Sequence, residues 1–209
     1  MANDQSSSLG LRPIKQPFGT IQIGYYRANT GQAMFRYQPV VLNNSGQVQV
    51  AAIAALSPIL GSVVGFLDAN KASIPAFMDS LSEGPYLPAS PGANAWVAVA
   101  DDPNQLFILE EDTGGTLIGS ANSSGQTVRF TYLATTGNTT TGVGNVVLDR
   151  STIAATTGEI LTLVGPSDNV NQDGTYNDLT LASAKWLVRI NSHQNAADKR
   201  NSPNLMLPG

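Results

Sequence analysis

Residues 95–112 hold two β-prone runs, Trp96-Val97-Ala98-Val99-Ala100 and Leu106-Phe107-Ile108-Leu109-Glu110, on either side of Asp101-Asp102-Pro103-Asn104. Proline sets φ at a turn corner, and Asp and Asn side chains hydrogen-bond the backbone beside them. Strand, turn, strand is the natural reading, a hairpin with a proline corner. The same pattern recurs at 20–26, 35–42, 48–52, 61–67, 127–133, 145–148, 160–164 and 185–190. Alternation is plain in Ile21-Gln22-Ile23 and Val128-Arg129-Phe130-Thr131-Tyr132, and Asn44-Ser45-Gly46, Ser124-Gly125 and Gln172-Asp173-Gly174 punctuate the runs. Many short strands with such turns predict an all-β fold, an antiparallel β-barrel or jelly-roll-like sandwich with extended N- and C-terminal arms and little helix.

Helix signal is confined to 73–81, with Ser73 as N-cap and Pro75 in the first turn; Pro58 leaves the apolar stretch 51–60 ambiguous, and 84–92 reads as an irregular connection. No clean repeat is visible. The expected organisation is an extended N-terminal arm over 1–17, where Pro13 and Pro17 exclude a regular helix, a β body over 18–191 and an extended tail over 192–209. Leu205-Met206-Leu207 in that tail is suited to anchoring in a groove on a neighbour.

A chain of 209 residues, 42% hydrophobic, can bury an ordinary core without a metal or disulfide. Cysteine is absent, which removes disulfides, thiolate metal sites and cysteine nucleophiles. No apolar run approaches the ~20 residues of a membrane-spanning helix, and residues 1–10 lack the basic and apolar regions of a secretion signal. Only 12% of residues are charged, about half the usual share. Uncharged polar groups are easier to desolvate, so such a surface suits a protein that faces other proteins. Arg12, Lys15, Arg27 and Arg36 precede Asp68, Asp79, Glu83, Asp101, Asp102, Glu110, Glu111 and Asp112, a basic start ahead of an acidic body. That asymmetry suits docking on an acidic neighbour, or is clustering in solvated loops. With a net charge of −4 and no basic stripe, nucleic acid is a poor partner.

Little in the chain nominates chemistry. His193 is the only histidine and sits where the last strand exits, a place for a hydrogen-bonded structural residue. Asn169-Val170-Asn171-Gln172-Asp173-Gly174 echoes a calcium loop, but its first ligand is Asn and its twelfth position is Thr180 rather than Glu. Asp101/Asp102 and Glu110/Glu111 are adjacent pairs, and neighbours on a strand point to opposite faces. No phosphate-binding glycine loop is written, and Trp96 and Trp186 read as core residues. No catalytic, cofactor or metal residues are assigned.

Residues 95–112 resemble a segment recurrent in tailed-bacteriophage structural proteins, in which an apolar strand leads into Asp-Asp-Pro and a Phe-containing strand ending in acids. Gly10-Leu11-Arg12-Pro13, Gly65-Phe66-Leu67, Leu148-Asp149-Arg150-Ser151-Thr152 and Asn191-Ser192-His193 agree in order. The chain is similar to head decoration, or cement, proteins. That resemblance implies a virion structural protein, made in the host cytoplasm, that binds the outer surface of an icosahedral capsid as a homotrimer. It would clamp adjacent capsomers, with the major capsid protein as partner and no membrane, nucleic acid or cofactor. Candidate capsid contacts are Leu9, Leu11 and Ile14 as apolar groups and Arg12 and Lys15 as electrostatic ones. The alternatives are a tail or baseplate component, a carbohydrate- or receptor-binding β module, and, least supported, a glycan hydrolase.

Overall fold

The computed structural model describes residues 9–14, 19–29, 31–52, 58–68, 86–90, 95–114, 118–119, 124–154, 159–168 and 175–195. The expected helix at 73–81, Lys15, the loop 169–174 and Leu205-Met206-Leu207 lie outside these residues. Among the described residues eleven strands are present: β1 Arg12–Pro13, β2 Ile23–Ala28, β3 Pro39–Leu42, β4 Gln47–Val50, β5 Gly61–Leu67, β6 Trp96–Ala100, β7 Leu106–Glu110, β8 Thr127–Gly137, β9 Gly144–Ala154, β10 Leu161–Pro166 and β11 Lys185–Ile190. The fold is all-β, and no helix occurs among the described residues. Strands β2-β4-β3-β5-β6 close into a barrel, and β1-β7-β11-β10-β8-β9 form a second, six-stranded sheet.

The expected strand over 35–42 begins only at Pro39, because Tyr37 takes φ 64° and turns the chain. The Asp101–Asn104 corner joins two strands as read, yet it closes no hairpin. β6 pairs with β2 and β5 in the first barrel, while β7 pairs with β1 and β11 in the second sheet. Local turn chemistry specifies a corner; which strands pair depends on where each apolar face is buried. The corner itself is well made: Asp102 Oδ1 accepts from the Asn104 N–H at 2.8 Å and the Asp102 carbonyl from the Gln105 N–H at 3.0 Å.

The two sheets share one wiring. In β2–β6 and again in β7–β11 the third strand pairs with the second, the second with the fourth, the fourth with the fifth and the fifth with the first, all antiparallel. The first strand then meets the third in parallel, through Arg27 and Ala28 on Gln47 and Val48 in one run and through Glu111 on Leu148 in the other. Registers correspond too. The N–H groups of Ala28 and Glu111 donate to the carbonyls of Ala95 and Ala184, and those of Asn29 and Asp112 to Val48 and Leu148. The fourth and fifth strands slip at one equivalent place, between Val63 and Gly65 and between Leu163 and Gly165. The chain is therefore a tandem of two five-stranded units, a repeat that its residue identities do not display.

Burial explains why. Superposing the registers pairs Val40 with Val128, Val48 with Leu148, Leu60 with Ile160, Val63 with Leu163, Val97 with Trp186 and Val99 with Val188, all buried to within 1% exposure. Inward positions of a small barrel need apolar volume, at about 1.5–3 kcal/mol per buried side chain, and tolerate changes of identity. The second unit also has a much longer β8–β9 hairpin, which reaches back onto the first. The Arg36 N–H donates to the Gly142 carbonyl, the Gly144 N–H to the Arg36 carbonyl, and Gln38 Nε2 to the Thr136 carbonyl at 2.6 Å.

Candidate functional site

The second sheet carries charge where the first barrel is apolar. Glu111, directly after β7, occupies the position that Ala28 holds in the first unit, and Arg150 on β9 the position of Val50. Both are buried, at 1% and 5% exposure. Arg150 Nη1 lies 3.4 Å from Glu111 Oε1, and its Nε lies 3.4 Å from Asp112 Oδ1 and donates to the Gly114 carbonyl. Burial pushes the Glu111 carboxyl above its ordinary value, against the opposing pull of Arg150, the Ile118 backbone N–H and the Trp186 indole. Asp112 is raised as well, again chiefly by burial. On the neighbouring rung Glu110 faces Lys185 across β7 and β11, both buried. Asn177 then pins the loop before β11, accepting from the Lys185 N–H at 2.9 Å and donating to the carbonyls of Lys185 and Ser167 at 2.8 and 3.0 Å. Glu111, Asp112 and Arg150 are thus held against one another, an arrangement that fixes packing and orientation rather than presenting a reactive group.

The N-terminal candidates are drawn into the body. Gly10 turns the chain at φ 63° against Tyr37, where a Cβ would come within 2.6 Å of the Tyr37 Cβ. Leu11 is fully buried; its N–H donates to the Tyr37 carbonyl at 2.7 Å and its carbonyl accepts from Ser62 Oγ at 2.5 Å. Arg12 and Pro13 pair with Ile108 and Phe107, and the Ile14 N–H donates to the Leu106 carbonyl at 3.0 Å. Gln105 Nε2 donates to the Ile14 carbonyl at 2.6 Å. Arg12–Pro13 thus form a strand of the second sheet, and Leu11 and Ile14 on either side are hydrogen-bonded to the body. Leu9 and Ile14 are half-buried, Leu11 belongs to the chain's own core, and Arg12 is exposed with its guanidinium 6.0 Å from the Tyr37 ring.

Several of the charges in that asymmetry have partners within the chain. Arg27 stacks over Trp96 at 5.5 Å, which leaves that tryptophan half-buried rather than in the core, while Trp186 is fully buried. Arg36 Nη2 donates to the Thr141 carbonyl at 3.0 Å. Asp101 accepts from the Tyr26 hydroxyl at 2.5 Å, and burial together with this carboxylate raises the phenol to about 12. His193 is buried beyond the last strand, where its Nδ1 accepts from the Asn195 N–H at 2.9 Å. A seam lined by Gln32, Ala33, Val50, Ala51, Ala52, Tyr132 and Thr136 separates the first barrel from the long hairpin. Tyr132 donates across it to the Ala51 carbonyl at 3.0 Å, its phenol raised by burial.

Sequence reading singled out Glu110 and Glu111 as an adjacent pair but missed Arg150 as their complement. The one local signal was a run of acids directly after Leu106-Phe107-Ile108-Leu109, a place where a buried strand should end in solvent. Among the described residues no group of three metal-ligating side chains is assembled. Comparisons with models of protein families, with curated proteins and with solved structures find no match.

Proposed function

We propose that this protein is a virion structural component that binds the outside of an icosahedral bacteriophage capsid as a homotrimer and stabilises the shell by cementing adjacent capsomers. The observation that carries the reading is where the chemistry-bearing residues are used. Glu111, Asp112 and Arg150 form one internal cluster, His193 is buried with its Nδ1 bonded to the backbone, and the rest of the surface is poor in charge. A filled barrel beside a second sheet, with few charges in the sequence, is suited to surface-on-surface binding, and the likeness of residues 95–112 to phage structural proteins supplies the partner. Arg12, exposed beside Tyr37, is the described candidate contact that the body does not bury.

The mechanism is mass action. A ligand that binds the intact shell and not free capsomers stabilises the shell, by about 2.7 kcal/mol per site at a hundred times its Kd. The test mixes purified protein with shells of the cognate phage that lack it, and measures bound copies per shell by sedimentation and shell disruption on heating. Saturable binding in multiples of three with a raised disruption temperature is expected. Absence of binding, or binding as single copies by a monomer, overturns the reading.

A further inference from the structure

The long β8–β9 hairpin does more than bridge the two units: it walls a cavity of about 420 Å³ against the first barrel. Register equivalence makes Leu42, where β3 ends, the counterpart of Phe130, so Tyr132 and Thr136 belong to the length that β8 adds. The β8–β9 pairing slips between Tyr132 and Gly137, in the same stretch of chain. On the other side stand Gln32 from the turn after β2 and Val50, Ala51 and Ala52 from the end of β4. Hydrogen bonds hold these walls. Tyr132 donates to the Ala51 carbonyl at 3.0 Å, the Ala51 N–H to the Pro39 carbonyl at 3.0 Å, and the Val50 N–H to Gln32 Oε1 at 3.2 Å. The Tyr132 ring is braced edge-on against Phe130, with centroids 5.8 Å apart. Ala51 is buried and Tyr132 half-buried, while Gln32, Ala52 and Thr136 are exposed, so the cavity has a fixed floor and an open rim.

We propose that this cavity binds a neutral saccharide of mono- to disaccharide size. Its volume falls in the range of about 300–1,000 Å³ typical of small-molecule sites. Among the described residues that line it no side chain is charged, so an ionic ligand would lose its hydration with nothing to replace it. A wholly hydrocarbon ligand fits no better, because it would cover the Gln32 amide and the Thr136 hydroxyl without hydrogen-bonding them. A sugar ring meets both demands. Its C–H face packs on an aromatic ring and on alanine and valine methyls, and its hydroxyls pair with amide and hydroxyl groups. Tyr132, whose hydroxyl is committed to Ala51, contributes its ring, and Gln32, whose Oε1 is taken by Val50, contributes its NH2. Thr136, whose carbonyl is taken by Gln38, adds its hydroxyl at the rim. The site itself stands on the geometry of the free chain. Its use rests on the capsid reading: repeated over a shell, weak sites of this kind act together and hold the particle on a saccharide-coated surface.

Titrating the free protein with glucose, galactose, mannose and N-acetylglucosamine, each followed through the backbone amide resonances, reads the site directly. At least one of these sugars is expected to shift the amides of Ala33, Ala51, Ala52 and Tyr132 saturably, with a roughly millimolar Kd. Ala52→Trp sets an indole at an exposed rim position and should weaken that sugar at least about tenfold. Thr136→Val keeps the side-chain shape, removes the hydroxyl and should weaken it about three- to tenfold. Resonances remote from the cavity stay in place in both variants and report that the fold is retained. No saturable shift at these amides with any of the sugars overturns the proposal, and so does unchanged affinity in both variants. If glucuronate binds more tightly than glucose, or if benzene shifts these amides and the sugars do not, the assignment to a neutral saccharide is wrong. Every readout uses the free protein, so a failure of shell binding leaves the result standing, and a failure here leaves the shell reading standing.

Discussion

The charge cluster in the second sheet makes a quantitative prediction, because the first barrel solves the same packing problem without charge. Replacing Arg150 with Met removes the cation 3.4 Å from Glu111 and leaves a carboxylate at 1% exposure with no counter-charge beside it. Breaking a buried pair from one side costs about 3–5 kcal/mol. For a chain of this size that is a fall in Tm of roughly 6–20 °C, at about 2–4 °C per kcal/mol. Glu111→Leu alone strands Arg150 with only the more exposed Asp112 and the Gly114 carbonyl, and should cost a similar amount. The double variant Glu111→Leu/Arg150→Met restores the apolar solution that Ala28 and Val50 embody, and should fall within about 1–2 kcal/mol of the parent. Urea unfolding of the four proteins at neutral pH closes the cycle, with an expected coupling of several kcal/mol. The pH dependence carries the sign. A carboxyl whose folded value is raised above the ordinary 4.5 favours the folded state below that value, and this contribution is lost as pH rises through the folded value. The Arg150→Met defect should therefore shrink on acidification and be largest at neutral pH. Single variants that cost under about 1 kcal/mol, or a double variant no better than the sum of the singles, would refute the idea that the charges are held by each other.

Tyr26→Phe should cost about 1.5–3 kcal/mol through loss of the bond to the Asp101 carboxylate. Because the phenol is raised to about 12, the parent should lose that contribution as pH rises from 10 through 12, and the variant should not; ultraviolet titration with unfolding at each pH reads both. Gly61→Ala sets a Cβ 2.0 Å from the Ala100 carbonyl oxygen, a backbone atom, so at least about 1–3 kcal/mol of overpacking is expected in thermal unfolding. Deleting residues 2–14 should destabilise the free protein by several kcal/mol in thermal unfolding, since Leu11 and the β1 pairing go with it. Arg12→Glu should lower shell occupancy in the sedimentation assay and leave the fold unaffected, because its side chain is exposed.

The strands were legible because each is written locally. Gly61–Leu67, Leu106–Glu110 and Lys185–Ile190 match their expected bounds residue for residue. Strand partners were not. The Asp101–Asn104 corner has the chemistry of a hairpin turn and serves as the link between the barrel and the second sheet, since β6 and β7 each bury an apolar face in a different core. Residues 9–14 have the look of an arm, with Pro13 close by, but the unpaired edge of β7 and the space that Leu11 fills draw them in. Arg150 could not be matched to Glu111 in advance, because it arrives from β9 across an isolated parallel bridge, between Glu111 and Leu148, that only the tertiary fold creates.

Alternation, turn residues and the low share of charge belong to the chain as written, and they determine that it is all-β, close-packed and sparing of surface charge. The tandem is another matter. Its two halves agree in register, bulge position and inward apolar volume while Ala28 answers to Glu111 and Val97 to Trp186, and such agreement exists only between strands already paired. A packed interior constrains the sum of volumes and charges across neighbouring strands, so the repeat and the ion cluster were decided by tertiary pairing.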